Sequence, residues 1–223
     1  MKSMSLRGSR KGQSGFTLVE IAIVLVIIGL LLGGVLKGQE LIENAKIKNL
    51  KNDYQGVAAA FYAYKDRYGT TPGDDVRATA AARGWTGSTA GDGSGIVSTA
   101  NAWTTCAAAT ANESCYFWRH LRHSGLISGA VDNTDPQNAY GGATRVTQSS
   151  GAATGAPAGF LVCMGNLPGK AAAAIDAAFD DGVPGTGSVR GVQAAAGTPN
   201  TTPFATAATG YIETESYTVC KPL

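Results

Sequence analysis

Apolar residues are concentrated at one end of the chain and patterned differently in two successive stretches. From Phe16 to Leu36 the sequence reads FTLVEIAIVLVIIGLLLGGVL, 21 residues in which only Thr17 and Glu20 interrupt the apolar run. As a helix this run spans about 31 Å, close to the roughly 30 Å of a bilayer's hydrocarbon core. From Gln39 onward the run becomes a stripe. Ile47, Leu50, Tyr54, Val57, Phe61, Tyr64 and Tyr68 recur every three or four residues, the period of an amphipathic helix. Gly69 and Pro72 then supply a stop. The pattern predicts one helix from Phe16 to about Tyr68. Its second half should pack on a globular body, with a free coiled coil as the alternative. Gly29, Gly33, Gly34 and Gly38 weaken the helix midway, at about 1 kcal/mol each relative to alanine.

Beyond Pro72 the patterning is shorter. Thr70–Asp75 is turn-rich, and residues 78–115 are mostly small. GDGSG at 91–95 lacks the alternating acids of a calcium loop and reads as a flexible loop. Phe117–Ile127 reads as a short helix ended by Gly125. His120 and His123 could share a face of it, and they read as exposed polar residues beside packed Trp118 and Leu121. Phe160–Met164 predicts a strand, Pro168–Phe179 a helix, and Tyr211–Glu213 with Tyr217–Cys220 a terminal strand pair. The sum is an α+β fold: a long N-terminal helix packed on a small antiparallel β-sheet with long loops.

Charge divides the chain in the same place. Lys2, Arg7, Arg10 and Lys11 all precede Gly15, and no acid does. Without those four, the 18 basic residues fall to 14 against 16 acidic ones, so the remainder is mildly acidic. It has no basic stripe, and no specific nucleic-acid partner is evident. Basic residues before the apolar run place the leader in the cytoplasm and send the rest across. A cleaved secretory signal would have a shorter core and a small-x-small site after it. A plain anchor would leave Glu20 unexplained, because an acid inside a membrane segment is costly.

Gly15-Phe16-Thr17-Leu18-Val19-Glu20, after a short basic leader and before an apolar run, resembles the type IV prepilin signal of type IV pilins, minor pilins and type II secretion pseudopilins. The resemblance implies a type IV pilin-like fold. It also implies cleavage between Gly15 and Phe16 by a prepilin peptidase/N-methyltransferase, and methylation of the new Phe16 terminus. Residues 1–15 would be the leader, 16–36 the transmembrane or filament-core half of the helix, 37–69 its amphipathic half, and 70–223 the globular head. The chain would wait in the inner membrane as a single-pass protein with a cytoplasmic N-terminus. An inner-membrane assembly platform would then draw it into a helical filament with copies of itself and minor pilins. The product would be an extracellular pilus or a periplasmic pseudopilus. Glu20, one turn from the Phe16 amine, would pair with a neighbour's amine and set register. Many such pilins have a helix-kinking proline after the apolar run; here the neighbourhood holds Lys37, and no proline precedes Pro72.

Cys106, Cys115, Cys163 and Cys220 form no CxxC pair. On an exported domain they suggest two disulfides, with three possible connectivities. The favoured one closes a short loop with Cys106–Cys115 and ties down the C-terminus with Cys163–Cys220; buried free thiols are the alternative. The segment from Ile175 to Gly187 also resembles a stretch of pseudopilins and minor pilins. Asp180 and Asp181 fall at a helix C-terminus, where acids are disfavoured. A Ca²⁺ ion held by Asp176, Asp180 and Asp181, as in some pseudopilins, would compensate; so would capping and turn chemistry with Arg190 nearby. No cofactor is required, and no nucleophile elbow, phosphate loop or HExxH motif occurs. A structural subunit is therefore expected over an enzyme, with an anchored binding module or enzyme as the rival. Asn112 and Asn200 begin sequon matches of little weight.

Overall fold

The computed structural model describes residues 15–97, 105–149, 158–194 and 209–223. The leader's four basic residues and the Asn200 sequon lie outside them. The elements are α1 (Leu18–Tyr68), α2 (Ala80–Arg83), α3 (Glu113–His123), β1 (Thr144–Ser149), β2 (Gly159–Pro168), α4 (Gly169–Phe179), β3 (Arg190–Ala194) and β4 (Ser216–Pro222). Two compact units divide within α1, one ending at Asn44 and the other starting at Ala45.

In the first unit every residue from 15 to 37 is exposed. The helix is apolar all round, with an 18-residue window of mean hydropathy 2.8. A helix apolar on every side finds its burial outside its own fold.

In the second unit one stripe of α1 is buried. Leu50, Tyr54, Val57, Ala60, Phe61 and Tyr64 share a core with Phe117, Trp118 and Leu121 of α3 and with Val162, Met164 and Val219 of the sheet. Tyr54 is fully buried, and its hydroxyl donates to the Val219 carbonyl at 2.6 Å. The four strands run antiparallel in the order β1-β2-β4-β3. Alternation along β2 sends Val162 and Met164 toward α1, and Leu161 and Cys163 to the opposite face, where they cluster with Cys220. The expected arrangement, a long helix packed on a small antiparallel sheet, is the one observed. One close approach fixes how the segment just before β1 meets β2. A Cβ on Gly142 would lie 1.9 Å from the Gly165 carbonyl oxygen, so only glycine fits there.

Several local readings change. The short helix begins at Glu113 because Asn112 caps it, its Oδ1 accepting the Ser114 N–H at 3.0 Å. Tyr211–Glu213 is not a strand: β4 pairs with β2 and β3 instead, and the Ile212 N–H donates to the Tyr217 hydroxyl. His120 is buried rather than exposed. Its Nδ1 accepts the Gly73 N–H at 2.9 Å and its Nε2 lies 2.9 Å from the Thr89 carbonyl. Those partners require the neutral Nε2-protonated tautomer, and burial pushes the pKa down to about 4.

Candidate functional site

The residues singled out at the N-terminus stand at the start of α1. Gly15 and Phe16 lie before the helix and are exposed, Phe16 at 83%. Thr17 begins the hydrogen-bonded ladder, its carbonyl accepting the Ile21 N–H. The Thr17 hydroxyl accepts the Glu20 N–H at 3.2 Å. The Glu20 carboxylate accepts both the Thr17 N–H and the Thr17 hydroxyl, each at 2.8 Å. This is a reciprocal capping box. It satisfies helix-end amides that would otherwise be orphaned in apolar surroundings. It also shows Glu20 in a second role: in the single chain its carboxylate is held by its own helix. The signal, threonine three residues before glutamate, is legible in the sequence as a capping box.

Both disulfides lie in the second unit. Cys106–Cys115 joins the approach to α3 to its first turn, and Cys163–Cys220 links directly opposed residues of β2 and β4. The sequence separations are 9 and 57 residues.

Asp176, Asp180 and Asp181 converge, with one carboxylate oxygen from each lying within 4.8 Å of the others. All three are engaged. Asp176 accepts the Gly182 N–H at 3.0 Å and the Tyr211 hydroxyl at 2.6 Å. Asp180 accepts the Ser188 and Val189 N–H groups, and Asp181 accepts the Val183 N–H and the Thr186 hydroxyl. Burial raises the Asp176 pKa, while the bonds from Tyr211 and Gly182 oppose that. The bonds from Thr186 and Val183 lower that of Asp181, with a smaller contribution from Arg190. Calcium takes six to eight oxygens. Here backbone N–H groups of residues 182, 183, 188 and 189 point at the same carboxylates that a cation would use. Gly187 completes the cap: at φ +64° a side chain there would collide with the Asp180 carboxylate.

A second acidic group joins Asp74, Asp92 and Glu113, again within 4.8 Å. Buried Asp74 accepts the Gly93 N–H at 2.7 Å and the Gly95 N–H at 2.8 Å, and Glu113 accepts the Asp92 N–H. The GDGSG segment is thus pinned by an acid 19 residues upstream rather than left free.

The prokaryotic N-terminal methylation motif matches residues 10–36. No curated protein and no solved structure matches the chain. The motif spans the basic leader's end, the Gly15–Phe16 junction, Glu20 and the apolar run, and the exposed first unit supplies the membrane-competent helix that such a signal needs. The N-terminus of this chain is therefore a type IV prepilin-like signal, which marks a membrane-anchored precursor, implies processing by a peptidase, and points to a type IV pilin-like or pseudopilin structural subunit rather than an enzyme.

Proposed function

We propose that this chain is the structural subunit of a type IV pilus or related filament. It is cleaved after Gly15, methylated at Phe16 and assembled with copies of itself through α1. The observation that carries this reading is the methylation motif leading into a helix whose residues 18–37 bury nothing within their own chain. Drawing that surface from lipid into a bundle of like helices supplies packing, and one acid in an apolar bundle specifies register through its partner. Glu20 takes that part by pairing with a neighbour's Phe16 amine. The prepilin peptidase/N-methyltransferase, the inner-membrane platform and minor pilins are the partners this reading requires, and the pilus is its extracellular destination.

Intact-mass measurement combined with shearing tests it. The expected result is a chain beginning at methylated Phe16 that dominates sheared filaments, with Glu20→Ala inserted normally but absent from them. An uncleaved Met1 chain overturns the reading in favour of an anchored binding module or enzyme. A second reading, a type II secretion pseudopilin or a minor pilin, is supported by the absence of proline before Pro72 and by the acidic loop after α4. It predicts mature protein that is scarce in sheared filaments. Calcium at Asp176, Asp180 and Asp181 belongs to that second reading; calorimetric heat on adding calcium to chelator-treated protein would support it.

A further inference from the structure

The second unit carries a cleft of about 380 Å³ whose walls include Asp53, Gly56 and Val57 of α1, Trp118 of α3, and Leu126 and Ile127 beyond it. Two features of this cleft have no explanation inside one chain. Gly56 lies mid-helix, at a cost of about 1 kcal/mol relative to alanine. Yet a Cβ there would meet nothing within 4 Å, so no packing among the described residues calls for glycine. Asp53 has no cation or donor beside it among the described residues, although its surroundings displace enough water to raise its pKa. The cleft thus presents an apolar slot, one unpaired carboxylate, and a helix stripped of side chain where something can approach its backbone.

The chain carries a feature of matching chemistry. Past the end of α1, the exposed large apolar residues among those described are Val76, Ile96, Val131, Val183 and Ile212. Of these, Val76 alone adjoins a basic residue, Arg77, also exposed. The turn that presents them is locked from behind. Asp75 is buried, paired with Arg83 at 2.7 Å, and accepts the Tyr64 hydroxyl at 2.6 Å and the Arg77 N–H at 2.8 Å. A Cβ on Gly93 would come within 2.9 Å of Val76 Cγ1, so a second loop backs the valine. A rigid apolar prong with an adjacent cation binds with little ordering cost.

We propose that the Val76–Arg77 turn of one copy docks in the Gly56 cleft of another, Val76 against Leu126 and Ile127, which are only half-buried, and Arg77 on Asp53. The inference rests on the filament reading and names a contact between its subunits. Asp75 bonds to Tyr64, eight residues beyond Gly56 on α1, which puts turn and cleft on separate patches about 12 Å apart along the helix. A contact between two different patches repeats head to tail and generates an open helix or a ring. Its charge pair fixes orientation more than it adds affinity.

The test is a double cysteine variant, Gly56→Cys with Val76→Cys, in the full-length chain. The four native cysteines are already paired, so mild oxidation of filaments should give a ladder of cross-linked multimers, absent from either single variant. In parallel, Asp53→Lys and Arg77→Glu should each lower filament yield about tenfold, and the two together should restore it. Filaments that form without a ladder, or charge reversals that leave yield unchanged, overturn the docking while leaving the filament reading intact. A processed wild-type chain that never polymerises overturns both.

Discussion

The two ends of α1 are one continuous helix with opposite economies. Between residues 18 and 37 every side chain is exposed and nearly all are apolar; between residues 50 and 64 one stripe is buried and the other faces carry charge. The second stretch earns its helical state from a core assembled by its own chain. The first has no such core, and its hydrophobic surface is meaningful only against lipid or other copies. Helical propensity alone would not distinguish them, because both stretches are helical. What separates them is where the apolar area goes.

Mutations of the same kind should therefore have opposite readouts in the two stretches. Leu50→Ala removes a fully buried side chain and should destabilise the folded body by about 2–5 kcal/mol in urea melts of the detergent-solubilised chain. Leu31→Ala, 63% exposed, should leave that melt unmoved and appear only in filament yield. Equal shifts from the two would erase the distinction. Replacing Cys163 and Cys220 with serine opens the longer loop and should cost the body about 4 kcal/mol, against about 3 kcal/mol for the Cys106–Cys115 pair. A larger loss from the shorter loop would show that native packing around α3, not chain entropy, dominates.

The body should also be the acid-sensitive part. Neutral His120 has a native pKa of about 4 against about 6.5 unfolded. The unfolded chain therefore takes up this proton first. Stability falls as pH drops from 6.5 to 4, by about 3 kcal/mol at most, and the effect is complete below 4. His120→Gln, which keeps one acceptor and one donor, should flatten that slope; an unchanged slope would assign it to other groups. The smallest effect is at the other end. Thr17→Ala should cost the helix start about 1 kcal/mol, visible as faster amide exchange confined to residues 18–21, with no change in the body's melt.

The sequence is most legible where one period governs many residues. The stripe from Ile47 to Tyr68 gave the helix, its stop and its buried face together. It is least legible where a short element depends on distant partners. β1 and β3, TRVTQS and RGVQA, carry polar residues in both alternating sets, because the sheet buries polar side chains on both faces, Thr144 on the α1 face and Thr147, Ser149 and Thr218 on the opposite one. No alternation survives to announce such strands. The burial of His120 is illegible in the sequence for a related reason: its partners, Gly73 and Thr89, lie 47 and 31 residues away and come to it only in the folded state. The acidic loop shows a third limit. Spacing brought Asp176, Asp180 and Asp181 together on the page, but only the donors from residues 182–189 and Tyr211 show how their charge is satisfied.

The capping box at Thr17 changes what the proposed polymerisation would ask of Glu20. A carboxylate with no partner would be captured by the first cation it met, and its attachment would be strong and hard to undo. This carboxylate already has two donors at 2.8 Å. Under the proposed pairing, joining a neighbour would be a swap of one satisfied state for another, and its net free energy would be a small difference between two large terms. In the proposed filament, subunits bound by such a swap would join and leave without a bare charge being left in apolar surroundings.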